Sequence, residues 1–170
     1  MPTIAQTSLA DLEHEISNSR RVLERYPQGK DDFTPHPKSM PLGKLAAHVA
    51  SIPWLGTMAL QRSVLDFAEP LPAQPAPPTD AAGMVALLDE HAAAFTRALG
   101  AASDADMMET WTMKTGDKVH MSMPRVAVLR GLVISHMIHH RAQLTVYYRL
   151  LDVPVPGLYG PSADDLGLFA

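Results

Sequence analysis

With 170 residues, 46% of them hydrophobic and 19% charged, the chain has the length and balance to bury a sizeable core without covalent staples. It contains no cysteine, which excludes disulfides, thiolate metal sites and a cysteine nucleophile, so any metal would fall to His, Asp or Glu. A net charge of -4 without clustered Lys or Arg points away from nucleic acid, and no apolar run is long enough for a bilayer; a cytoplasmic, non-membrane protein is expected.

The simplest organisation is one domain over residues 1–170. Thr7 or Ser8 can cap a first helix over residues 8–26, with Leu9, Leu12, Ile16, Val22 and Leu23 as its apolar side and Pro27 as its stop. Prolines and a glycine make residues 27–41 a loop. A second helix is expected over residues 41–67, kinked at Pro53, with His48 in the same apolar stripe as Leu45, Ile52, Leu55 and Ala59. Residues 69–78 are half proline and predict an extended crossover.

Thr79 or Asp80 caps a third helix over residues 80–99, with Met84, Leu87, Leu88, His91, Phe95 and Leu99 facing inward. The period then changes to alternation, and residues 108–123 predict a short β-hairpin turning near Thr115 to Lys118. Pro124 opens a fourth helix over residues 124–151, and a Pro- and Gly-punctuated tail, 152–170, reads as coil. Four amphipathic helices with one hairpin and one long crossover predict an all-α, antiparallel four-helix bundle.

The fourth helix carries the chemistry. A 3.6-residue repeat puts Leu129, Leu132, Val133, His136, His140, Gln143, Tyr147 and Leu151 on one face and leaves Arg130, Ile134, Arg141, Thr145 and Arg149 elsewhere. Two imidazoles thus stand where leucines are expected, and their ring nitrogens need partners. An i, i+4 pair offers two nitrogens from one face, and His48 from a second helix would supply a third, leaving a coordination position open as catalytic sites do. The alternative is that backbone carbonyls, Gln143 or Tyr147 satisfy these histidines. His139 lies on the flank of the stripe, beside the ligand pair or at an interface; His91 either packs in the core, its simpler role, or approaches the site. Trp54 and Trp111 read as core or dimer contacts. No phosphate-binding glycine loop, nucleophile elbow or paired buried carboxylates compete.

Leu-Gly-Lys-Leu-Ala-Ala-His48 and Ser-His136-Met-Ile-His-His140-Arg-Ala-Gln-Leu resemble the DinB/YfiT-like family of metal-dependent bundle proteins, and the likeness extends to Met-Pro-Arg before the last helix and Tyr-Gly-Pro-Ser-Ala-Asp in the tail. The resemblance implies an up-down-down-up four-helix bundle, often a homodimer. It also implies a divalent metal, zinc or nickel first and iron next, on His48, His136 and His140. His139 is the neighbour in the family's His-His-Arg-Gly-Gln pattern, where Ala142 replaces the usual Gly. Some relatives are transferases or isomerases that use a low-molecular-weight thiol such as mycothiol, bacillithiol or a glutathione-like compound. The function implied is therefore a metal-dependent thiol transferase or hydrolase with a small-molecule substrate. A non-catalytic metal- or ligand-binding bundle is the alternative. The family name derives from DNA-damage induction and implies no DNA binding.

Overall fold

A capping box starts the chain: Gln6 N donates to Thr3 Oγ1 and Thr3 N to Gln6 Oε1 in the computed structural model, which describes residues 1–71 and 76–168. Helix α1 (Ile4–Leu23) therefore begins a turn before Thr7 or Ser8 could cap it. Tyr26, beyond its end, donates its hydroxyl to Asp31 Oδ1 at 2.7 Å and pins the loop that follows.

Helix α2 (Leu42–Gln61) holds Pro53 in its interior and stops at Gln61, six residues short of the expected end. Arg62 turns extended, and Val64–Asp66 becomes strand β1. A short apolar run such as Val64-Leu65 fits helix and strand alike from sequence; its partner decides, and here Val64 to Asp66 pair in parallel with Thr112 to Lys114. The proline-rich crossover follows; residues 72–75 of it lie outside the described residues. Helix α3 (Ala81–Gly100) is capped by Asp80, whose Oδ1 accepts from Gly83 N at 2.7 Å.

A short helix α4 (Asp104–Met108), capped by Ser103, precedes strands β2 (Thr110–Thr115) and β3 (Lys118–Pro124). These form the expected antiparallel hairpin, but within a three-stranded sheet of order β1-β2-β3. Asp66 ties its corner: Oδ1 accepts from Ala68 N and from Gly116 N, and Lys114 Nζ lies 3.2 Å from Oδ2. Gly116, at φ 57°, supplies the left-handed backbone that the turn needs.

The last helix is not uniform. An α-helical turn, α5 (Arg125–Val128), leads into a π-helical segment (Leu129–Ser135) and then α6 (His136–Leu150). A π-helix spends more residues per turn, so the face expected from a 3.6 repeat is rephased. From Leu129 onward the buried positions are Leu129, Val133, Met137, Arg141, Leu144, Tyr147 and Tyr148, which moves His136 and His140 from mid-stripe to its half-buried edge. The tail is not coil throughout: Ala163–Leu168 is a 3-10 helix, while residues 169–170 lie outside the described residues.

The helices pack in a square, α2 against α3 and α6, and α1 against the same two. Arg20 of α1 pairs with Asp89 of α3 while Glu13 lies across from Arg97, so α1 and α3 run antiparallel. Gly56 meets Phe95, and Leu87 lies beside Ala47 and His48, so α2 and α3 run parallel. Tyr147 reaches Met40 whereas His136 meets His48, so α6 runs back against α2. This is the up-down-down-up bundle. A smaller cluster of Ala59, Leu65, Trp111 and Val128 welds the sheet onto its end. No helix of the described residues is long and apolar enough to cross a membrane.

Candidate functional site

Where α2 and α6 face each other, the structure brings His48, His136 and His140 together. Each offers one ring nitrogen, and the three lie within 4.8 Å of one another. His48 Nε2 and His136 Nε2 are 3.3 Å apart, and the three rings meet edge to face, with centroids 4.6 to 5.0 Å apart. Opposite ends of two rings are already engaged. His136 Nδ1 lies 3.2 Å from the Leu132 carbonyl, to which it donates, and His140 Nδ1 donates to Gln143 Oε1 at 2.7 Å. Both hydrogen bonds fix the tautomer that leaves Nε2 a lone pair, the arrangement by which outer partners prepare imidazoles to bind a metal. Two zinc–nitrogen bonds of about 2.0–2.1 Å at a tetrahedral angle put their nitrogens about 3.3 Å apart, which is the His48–His136 separation. Three half-buried imidazoles without a thiolate or carboxylate form a donor set suited to zinc, nickel or iron.

The electrostatics favour the neutral form of His48 and of His136. Burial, then the neighbouring imidazoles His140 and His136, push the His48 pKa down to about 4. Burial likewise lowers His136, helped by His140 and opposed by the hydrogen bond to Leu132. A neutral imidazole is the form that donates a lone pair.

Beside the triad opens a cavity of about 510 Å³, lined by His48 and His136 but not by His140. Its other walls are mostly apolar: Ile52, Trp54 and Leu55 of α2, Leu65 and Phe67 at the sheet, and Leu87 of α3. Lys44 and Ser51 complete the α2 side. Trp111 is fully buried core, as expected, whereas Trp54 is a cavity wall rather than a core contact. Lys44 and Ser51 were legible in principle, since they stand four residues before and three after His48 and share its helical face.

The sequence pattern of the DinB family matches residues 1–166. The chain belongs to the DinB family. It is 29% identical over 133 residues to the uncharacterized protein YrdA of Bacillus subtilis strain 168, a match covering 75% of this chain and 71% of that protein. Two crystal structures share the fold. One is a DinB-like protein from Bacillus cereus ATCC 10987, with TM-score 0.65, 23% identity, and 89% of this chain and 95% of that chain covered. The other is the DinB-like protein YjoA of Bacillus subtilis, with TM-score 0.68, 14% identity, and 91% and 98% covered.

The remaining histidines and polar candidates of this DinB chain are separated by the fold. His139 is exposed, its ring 4.8 Å from that of His140, and Gln143 Nε2 donates to its Nε2 at 3.2 Å; Gln143 thus bridges His139 and His140. Tyr147 does not reach the triad or Gln143: its hydroxyl donates to the Met40 carbonyl at 2.9 Å, just ahead of α2. His91 stands on α3 apart from the group, its Nε2 buried without a hydrogen-bond partner among the described residues. Arg141, expected off the inward face, is instead in the core: it pairs with Glu15 and donates to the Glu15 carbonyl, Ser19 Oγ and the Tyr159 hydroxyl. Its immediate neighbour is His140, so this buried network holds the helix that carries two of the three imidazoles.

Proposed function

We propose that this DinB protein is a metal-dependent enzyme in which His48, His136 and His140 hold a divalent ion, zinc or nickel first and iron next, beside a cavity for a small-molecule substrate. The observation that carries the reading is the convergence of three ring nitrogens within 4.8 Å of one another, with the His136 and His140 rings each held by a hydrogen bond at Nδ1. A three-imidazole site leaves room for an exchangeable ligand, and an ion held there would supply Lewis acidity toward water, a low-molecular-weight thiol or a polarised substrate oxygen. The chain's own contribution is positional. Leu132 and Gln143 orient two of the rings, α2 presents the third, and the apolar walls beside His48 and His136 exclude water from whatever occupies the cavity. Transfer of a thiol to a small electrophile, or hydrolysis, is the reaction class that fits.

Elemental analysis of untagged protein is expected to find about one divalent ion per chain. Alanine at His48, His136 and His140 together is expected to abolish it. Metal-free protein after expression with zinc, nickel and iron supplied overturns the proposal. Small electrophiles offered with and without a panel of low-molecular-weight thiols then test catalysis. Turnover lost in His136→Ala supports the enzyme, whereas chelator-sensitive stability without any turnover marks a metal-binding bundle instead.

A further inference from the structure

The cavity is charged at one end only. Lys44 precedes His48 by four residues on α2, so the two share a face about 6 Å apart along the helix axis, and both line the cavity. Lys44 is exposed and, among the described residues, takes part in no ion pair and shares the cavity lining with no Asp or Glu that could offset it. In the other direction along α2 the walls turn apolar, with Trp54 and Leu55 joined by Leu65 and Phe67 from the sheet side. An uncompensated ammonium above apolar walls attracts an anion, and those walls favour a dehydrated body over a sugar-like one. The polar end of the occupant therefore lies toward the imidazoles and its apolar end toward the sheet.

Building on the metal-site reading, we infer that the substrate is an amphiphilic monoanion. Its carboxylate, a few bonds from the reacting atom, pairs with Lys44, and its aryl or medium-chain alkyl body lies against Trp54, Leu55, Leu65 and Phe67. Lys44 is then the residue that selects the charge of the substrate, and the sheet end of the cavity selects its size. A pocket of about 510 Å³ suits a ligand of that kind.

Octanoate and octanamide, equal in chain and different in charge, are the probes. Binding to the full chain is measured by calorimetry, with metal content determined on the same samples. Octanoate is expected to bind roughly fivefold tighter than octanamide, a difference that collapses in Lys44→Gln and persists in Lys44→Arg. Leu55→Ser is expected to weaken both probes alike. Equal affinities in the wild type overturn the inference, and so does a preference that survives Lys44→Gln, the result if the carboxylate sits on a metal ion instead. A Lys44-dependent preference in metal-free protein sustains this inference while the metal reading falls. A full complement of metal with no preference sustains the metal reading while this inference falls. Circular dichroism of the two Lys44 variants, altered at an exposed side chain, verifies that they are folded.

Discussion

Arg141 is 1% exposed, the most buried charge among the described residues, and its partner Glu15 is 6% exposed. Removing one member of such a pair strands the other, so Arg141→Met is expected to destabilise the protein by about 3–5 kcal/mol in urea denaturation. Arg141→Met with Glu15→Gln, which strands no charge, should recover much of that loss. The sequence hid this arginine because charge argues for solvent, and only the arrival of Glu15, Ser19 and Tyr159 from distant segments makes its burial tolerable. The histidines titrate with a definite sign. Unfolded imidazoles take up protons near pH 6.5, whereas His48 in the folded protein resists until about pH 4, and His136 and His91 are displaced the same way. Between those limits the unfolded state binds more protons, so stability falls as pH drops from about 6.5 toward 4, levels off for His48 below that, and is indifferent to it above 6.5. The depressed carboxylates Asp66, Asp106, Asp164 and Asp165 lose their contributions only at lower pH, below their usual 3.8. Thermal melts of metal-free protein should therefore decline between pH 7 and 4.5. His48→Asn should flatten the decline by about 1 kcal/mol, or roughly 2–4 °C, after allowance for the ring's partial exposure.

The helices show how packing overrides local preference, and two glycines measure it. A Cβ on Gly56 would stand 2.6 Å from the Phe95 ring, so α2 and α3 approach closely because that position carries no side chain. Gly56→Ala should cost about 1–3 kcal/mol. Gly131, in the π-helical segment, faces open space, and Gly131→Ala should instead stabilise by up to about 1 kcal/mol, both read from denaturant midpoints. The number and order of the long helices were legible because caps, prolines and apolar spacing agree on them. The π-helical segment was not, since Leu129 to Ser135 contains no proline and its single glycine, Gly131, is tolerated in a regular helix as well. Its consequence is the rephased face: the extra residue lets Leu129 and Val133 serve the core while His136 turns toward α2. Strand β1 was missed for a different reason. Val64 and Leu65 continue an apolar pattern begun in α2, and their parallel partner lies in β2, far along the chain.

At the scale of the molecule, the triad was legible as a set of residues because an i, i+4 pair and one mid-helix His occur on facing elements, whereas the cavity was not, since its walls come from three helices, a strand and the crossover. Those origins set an order of assembly. His48 and His136 are 88 residues apart, and Asp66 closes on Gly116 across 50, so both contacts require long loops to close before they return any stabilisation. Helices α2 and α3, neighbours in the square and consecutive among the long helices, can form and pair without them. Completion of the site is therefore expected after the rate-limiting barrier, and an ion that recognises only the finished triad should leave the refolding rate in dilute denaturant unchanged while slowing unfolding. Stopped-flow chevrons with and without saturating zinc read this directly: a shift confined to the unfolding arm is expected, and an accelerated refolding arm would place triad formation in the nucleus. Bound metal would thus protect the protein kinetically, extending the lifetime of the native state without helping the chain to reach it.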